Sequence, residues 1–243
     1  MKFRFIATLI ICSFIGYIGY SQTGEEIILK HLEARGGLEN YWKINTWGCE
    51  GRISTGGQDV PFTIYYKAPK MTRGEVLTQG GTIVLVADSQ SAWGINPMQN
   101  PKPQDIPREN IVSNFEPFYY FIEGFMTYLE EKEKEGGEFT LVGKDTVEGK
   151  EAFKLENKTK DGQIINYWFD ATDYMLIKDY IKFNNEGKVI EISNSFKNFR
   201  AISGIKIPFK VEKKIGEEII TTTFTKIKAN IPLPDSIFQK PKD

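Results

Sequence analysis

From Trp47 onward apolar and polar residues alternate with a period of two, and turn residues recur about every ten positions, the pattern of an antiparallel meander. Gly56-Gly57 separates a strand around Cys49–Ser54 from Val60–Lys67, and Gly80-Gly81 separates Arg73–Thr78 from Thr82–Ala87. Ala92–Asn96 follows the turn after Asp88. Pro97, Pro101, Pro103 and Pro107 then predict an irregular, helix-resistant loop. The meander resumes over Glu138–Val147, Ala152–Thr159, Ile164–Asp170, Leu176–Phe183, Val189–Phe199, Ile205–Lys213 and Glu218–Ile227. Asp161-Gly162, Glu186-Gly187, Ser203-Gly204 and Ile215-Gly216 supply its turns. About twelve strands running through without a linker predict one strongly curved sheet or open barrel.

Segments with a helical pattern interrupt the alternation. Thr23–Ala34 reads as a short amphipathic helix, with Thr23 and Glu26 in capping-box spacing and Gly36-Gly37 at its end. A second helical turn is expected at Leu38–Lys43, the two together covering one edge or end of the sheet. The stretch Pro117–Lys132 is different. Phe118, Tyr119, Tyr120, Phe121, Ile122, Phe125, Met126, Tyr128 and Leu129 wrap apolar surface most of the way round it, where a surface helix needs only one stripe. Such a helix must be buried on more than one side. Against a curved sheet it would plug or lid a cavity; packed between sheet and loops it would be ordinary core.

The strand faces sharpen this choice. Ile190 and Ile192 alternate with Glu191 and Ser193, and Ile205, Ile207, Phe209 and Val211 alternate with Lys206, Lys210 and Glu212, so these strands have one wet and one dry face. Ile83-Val84-Leu85-Val86 and Tyr167-Trp168-Phe169 are apolar on both sides and are expected mid-sheet beneath helices. The dry concave face then carries more apolar surface than a single sheet can bury alone.

The first residues change the picture of where the chain works. Lys2 and Arg4 precede an apolar run from Phe5 to Ile18 and the small-residue site Gly19-Tyr20-Ser21, which reads as a secretory signal peptide over residues 1–21. The run is shorter than the roughly 20 residues of a spanning helix. Cys12 is preceded by Ile10 and Ile11, which do not make a lipobox, so a soluble exported, periplasmic protein starting at Gln22 is expected, as a single domain over residues 22–243. Removing Lys2 and Arg4 from the 31 basic residues leaves 29 against 32 acidic ones, a formal net charge of −3. With no basic patch or basic helix, no nucleic-acid partner is expected. Only Cys49 remains after cleavage, so stability has to come from a hydrophobic core.

Catalytic chemistry finds little to build on. His31 is the only histidine, which excludes multi-histidine metal sites and argues against a histidine-dependent triad. It reads as a structural or surface residue. Cys49 lies within a strand, away from any helix N-terminus that would activate its thiol, and reads as a small buried hydrophobe. Glu130-Glu131, Glu217-Glu218 and Asp170/Asp173 fall at helix ends and turns, the usual places for solvated charge, and no glycine-rich nucleotide motif is present. No catalytic residue, metal or cofactor is assigned.

The segments Phe62-Thr63-Ile64-Tyr65-Tyr66-Lys67-Ala68-Pro69, Met71-Thr72-Arg73-Gly74-Glu75, Ile83–Asp88 and Ala92-Trp93-Gly94-Ile95-Asn96-Pro97 resemble the first sheet of the periplasmic lipoprotein-carrier family, LolA-like. The start, Ile28–Leu38, and the end, Pro232–Pro241, also resemble exported outer membrane lipoprotein-sorting proteins. The resemblance implies an incomplete antiparallel barrel of about eleven strands, mainly β with a few helices covering its concave apolar face. It also implies a cavity that accepts acyl chains. One position departs: the family's carrier proper has a lid-holding arginine before the proline of its second strand, where this chain has Ala68 preceded by Lys67.

These readings combine into a periplasmic carrier or chaperone holding a hydrophobic ligand, lipoprotein acyl chains or another envelope lipid, under a helical lid. Transfer partners in the inner and outer membranes stay open. The expected lining is Phe62, Ile64, Tyr66, Leu85, Trp93, Phe118, Phe121, Ile122 and Phe125. The alternatives are an envelope sensor or protein-interaction module on the same fold, and a hydrolase acting on envelope glycan or lipid.

Overall fold

The computed structural model describes residues 22–68, 71–107, 125, 138–159, 162–185 and 187–241. The expected signal peptide and, apart from Phe125, the greasy Pro117–Lys132 stretch lie outside the described residues. Helix α1 (Gly24–Arg35) starts at Thr23, whose side chain accepts from the Glu26 amide while the Glu26 carboxylate accepts from the Thr23 amide, the reciprocal cap expected from the spacing. A second short helix, α2 (Leu38–Tyr41), follows directly.

Among the described residues thirteen antiparallel strands form one open sheet. The first six are β1 (Thr46–Thr55), β2 (Gln58–Lys67), β3 (Met71–Thr78), β4 (Gly81–Ala87), β5 (Ala92–Asn96) and β6 (Asn100–Asp105). The other seven are β7 (Glu138–Val147), β8 (Lys150–Lys158), β9 (Ile164–Asp170), β10 (Leu176–Asn185), β11 (Lys188–Ile202), β12 (Ile205–Ile215) and β13 (Glu218–Ala229). They lie in the order β6-β5-β4-β3-β2-β1-β13-β12-β11-β10-β9-β8-β7, so each half is a meander and the β1–β13 pair joins them.

The sheet curls around α1. β7 and β12 are five strands apart, which on a flat sheet is about 24 Å, whereas a helix of 12 residues is about 18 Å long. Yet α1 contacts both strands. Its two ends abut backbone: a Cβ on Gly24 would lie 2.0 Å from the Phe139 carbonyl oxygen of β7, and one on Gly36, at φ 123°, would lie 1.9 Å from the Gly204 carbonyl oxygen in the β11–β12 turn. Only glycine permits either approach. Helix α1 therefore runs across the concave face from an edge strand to a turn, rather than covering one edge or end, and the sheet is an incomplete barrel.

The main core lies on the helix-covered face. Ile27, Ile28 and Leu32 of α1 pack with Trp47 and Cys49 of β1, Leu155 of β8, Phe169 of β9, Ile205 and Ile207 of β12 and Phe224 of β13. A smaller cluster lies on the outer face of the other wing, where Val84, Val86 and Trp93 meet Phe238. There the C-terminal segment runs across the back of the sheet. It is held by the Thr46 hydroxyl donating to Ile231 O (2.7 Å), Arg73 donating to Ile237 O (2.7 Å) and the Lys67–Asp235 ion pair (2.5 Å).

Two expectations change. The doubly apolar strands β4 and β9 lie third from either edge rather than mid-sheet. The outer face of β4 is dried by the C-terminal segment, not by a helix. On β9 the outward Trp168 donates to Asp145 (2.9 Å) and is flanked by the ammonium groups of Lys154 and Lys178. The proline-rich stretch, expected as loop, contains edge strand β6. Ile106 N–H donates to Ala92 O (3.1 Å), which turns the nitrogen of Pro103 toward the open edge, where no donor is required. Pro101 lies in the bulged start of the same strand.

Candidate functional site: the apolar face of the curved sheet

Cross-strand pairing assigns the expected lining residues to faces. Ile64 pairs with Gly74, Gly74 with Leu85, and Leu85 with Gly94, so Ile64 and Leu85 share the helix-covered face. Phe62 and Tyr66 have the same parity on β2. Phe62 is buried, its ring filling the space above Gly51 and meeting Phe224 edge-on at 5.6 Å, while Ile64, Tyr66 and Leu85 are half-buried. These four predicted residues therefore come together as one apolar floor.

Trp93 does not join them. It pairs with Val86, on the other parity, and its indole N–H donates to Phe238 O (3.1 Å) beneath the C-terminal segment. The expectation that it faces the cavity is corrected: the run Ala92-Trp93-Gly94-Ile95 contains no charged residue to mark the wet side, and the outer face is itself dry here. Phe118, Phe121 and Ile122 lie outside the described residues. Phe125, from the same stretch, is buried on the helix-covered face against Tyr167 (ring centroids 5.1 Å), Phe139 (5.5 Å) and His31 (5.6 Å).

The floor continues onto the second wing. Ile165, Ile181, Ile192 and Ile215 stand in register on β9, β10, β11 and β12, all half-buried and on the same face as the core. They lie toward the end of the sheet away from the turn where α1 terminates. The signal for this row was in the sequence, in the alternation of Ile190 and Ile192, but register across four strands is a tertiary property.

Several polar groups lie on this face, and one of them, the buried Oδ1 of Asn157, has no hydrogen-bond partner among the described residues. His31 is fully buried, its Nδ1 2.8 Å from Tyr174 O, which makes Nδ1–H the donor and leaves the ring neutral. Burial, reinforced by the nearby Arg35 guanidinium, pushes its pKa down to about 3. Its role is structural, and the spacing Ile27, Ile28, His31, Leu32, Arg35 along one helix stripe already places it inward. Arg35 donates to Lys206 O (3.1 Å). Cys49 is buried, and desolvation pushes its thiol well above the ordinary range, the opposite of an activated nucleophile. Among the described residues no three His, Cys, Asp or Glu side chains come together as a metal site.

Among the described residues, two clefts lie away from this face. One of about 340 Å³, beside the β7–β8 turn, is lined by Lys150 and Lys197, which pair with Asp170 (3.0 Å), Glu148 (2.9 Å) and Glu212 (2.7 Å). The other, about 470 Å³, lies on the outer face beside Trp93 and Phe238. Lys67 also points to the outer face, where it is tied to Asp235 and Leu233 O. It does not replace the absent arginine at Ala68.

No protein-family model and no curated protein matches this chain. Solved structures do. A LolA superfamily protein from Nitrosomonas europaea aligns over 90% of this chain and 99% of its own, with a TM-score of 0.55 at 13% identity. The fold is LolA-like. A DUF1329 family protein from Desulfovibrio piger aligns over 90% and 98% of the two chains (TM-score 0.60, 13% identity). An outer membrane lipoprotein-sorting protein domain from Vibrio parahaemolyticus aligns over 89% and 96% (TM-score 0.56, 12% identity). At these identities the likeness establishes architecture, and what this LolA-like sheet holds has to be argued from its own surface. Among the described residues no helix is long and apolar enough to cross a membrane.

Proposed function

We propose that this protein is an exported, periplasmic carrier that shelters a hydrophobic ligand, the acyl chains of a lipoprotein or of another envelope lipid, against the helix-covered face of its half-barrel, with residues 117–132 as the lid. In this reading the signal peptide is cleaved after Ser21 and residues 22–243 form one LolA-like domain without catalytic groups. The observation that carries the proposal is the width of the apolar floor: Ile64 and Tyr66 are half-buried at the margin of the core, and Leu85 on one wing and Ile181, Ile192 and Ile215 on the other are half-buried outside it. The docking of Phe125 among Phe139, Tyr167 and His31 supports a lid whose aromatic residues plug this face.

The energetics suit exchange. An acyl chain gains about 0.8 kcal/mol for each CH₂ removed from water, and a lid residue displaced by the chain gives back a comparable amount, so loading and release are both accessible. The test is uptake of a fluorescent fatty acid by the folded chain, compared with Ile64→Asp and Phe121→Asp variants checked for native circular dichroism. Loss of uptake in both variants is expected; unchanged uptake in folded variants would refute the assignment of floor and lid.

A further inference from the structure

Exposed aliphatic residues are unevenly distributed over this fold. The antiparallel strands end alternately at two rims. One holds the β9–β10 and β11–β12 turns near the C-terminus of α1. The opposite rim holds the β3–β4, β5–β6, β8–β9, β10–β11 and β12–β13 turns. Leu77 (55% exposed), Met98 (62%), Ile164 (42%), Val189 (61%) and Ile219 (56%) all lie on that opposite rim.

Their placement repeats from hairpin to hairpin. Leu77 pairs with Thr82, Val189 with Asn184, Ile219 with Lys214 and Ile164 with Lys158, each in or next to the last pair before the turn and each directed to the outer face. Met98 occupies the β5–β6 turn and packs over Gly80 in the β3–β4 turn, so the two tips form one unit. Among the described residues no strand-borne hydrophobic of this exposure lies next to the turns of the α1 rim. The half-buried isoleucines of the second wing, Ile181, Ile192 and Ile215, lie toward this aliphatic rim, while Ile64, Tyr66 and Leu85 of the first wing lie toward the α1 rim.

We infer that this rim is a membrane-docking surface: the hairpin tips settle into the interface of an anionic bilayer, bringing the second wing's row of isoleucines close to the lipid. Residues spread singly along several tips match shallow insertion into lipid better than a protein interface, which concentrates aromatic and arginine anchors in one patch. Lysines flank two of these aliphatic side chains as well. Lys158 and Lys214 stand directly across from Ile164 and Ile219, both are exposed, and neither forms an ion pair among the described residues. Lys188 adds a third cation at the β10–β11 tip. Opposing them are Glu138, directly across from Lys158 on β7, Glu217 and Glu218 at the β12–β13 turn, where Glu218 accepts from the Thr55 hydroxyl (2.9 Å), and Glu191, which is paired with Lys182 (2.8 Å). An aliphatic side chain beside a free lysine is the pairing that places carbon below the headgroups and the ammonium at the phosphates.

This inference rests on the carrier reading for its purpose, but its test is separate. The chain from Gln22 onward, which contains every described element, is sedimented with protein-free phosphatidylethanolamine vesicles containing phosphatidylglycerol, and with phosphatidylcholine vesicles. Binding to the anionic vesicles, falling as salt is raised, is expected. The Lys158→Gln/Lys214→Gln variant should lose about thirtyfold in partitioning. Leu77→Ser/Val189→Ser/Ile219→Ser should lose about tenfold or more, with uptake of fluorescent fatty acid from solution unchanged in both. Absence of vesicle binding by the unsubstituted chain, or equal binding by the rim variants, would overturn the inference. Fatty-acid uptake without vesicle binding refutes the docking rim alone, and vesicle binding without uptake refutes the carrier reading alone.

Discussion

His31 offers a prediction with few confounders, because it is the only histidine in the chain. It is fully buried, donates to Tyr174 O and has its pKa pushed from 6.5 down to about 3, first by desolvation and then by Arg35. The unfolded chain therefore takes up a proton as pH falls through about 6.5, while the folded chain does so only near 3. Between those values the unfolded state binds one proton more, so unfolding free energy rises with pH, and the stability present above 6.5 drains away on acidification. The slope is about 1.4 kcal/mol per pH unit well inside the window. From pH 7 to pH 5 the integrated loss is about 2 kcal/mol, or about 4–8 °C in Tm for a chain of this size.

Asp170, whose pKa is lowered despite the opposing cost of its burial by hydrogen bonds from the Thr172 amide and Lys150, titrates below this interval. Urea unfolding at pH 7 and pH 5 therefore reads His31 cleanly. His31→Asn keeps a donor near the Nδ1 position and lowers stability at both pH values by leaving a void, but it should abolish the pH difference at constant m-value. Equal midpoints for the unsubstituted chain at the two pH values, or the same pH difference in the variant, would refute the buried neutral imidazole.

Other predictions follow from close contacts. Gly24→Ala drives a Cβ into the Phe139 carbonyl oxygen and should destabilise by about 1–3 kcal/mol, measured by thermal unfolding; a neutral effect would disprove the tight seating of α1 on β7. Trp93→Phe removes the donor to Phe238 O and should cost about 1–2 kcal/mol of stability, while fatty-acid affinity changes by less than about twofold. Lost uptake by a folded Trp93→Phe chain would return this residue to the ligand face. Cys49 should resist maleimide in the folded protein and react only through unfolding, with a labelling rate that tracks denaturant; rapid stoichiometric labelling would contradict its burial.

What was legible in the sequence is what local physics decides. The capping box and the glycine stop placed α1 almost to the residue, and period-two alternation with glycine turns placed twelve of the thirteen strands. Strand β6 was hidden because proline is a strand breaker except at an edge, and edge status is set by the rest of the sheet. The same holds for faces. On β2 the floor residues Phe62, Ile64 and Tyr66 sit together through simple parity, whereas Trp93 on β5 went to the other face because the C-terminal segment, some 140 residues later, supplies a second apolar cover. The row Ile165, Ile181, Ile192 and Ile215 needed the register of four strands to become visible. His31 was legible in principle, since it shares the helix stripe of Ile27, Ile28 and Leu32.

The central claim is that the apolar face holds a lipid. Its most direct test is native mass spectrometry of the protein purified without detergent from the envelope of its own organism, followed by extraction and lipid analysis of whatever accompanies it. A stoichiometric acylated ligand is the expected result. A clean mass of the chain alone, with no uptake of added fluorescent fatty acid, would contradict the carrier and leave a protein-interaction module as the reading of this fold.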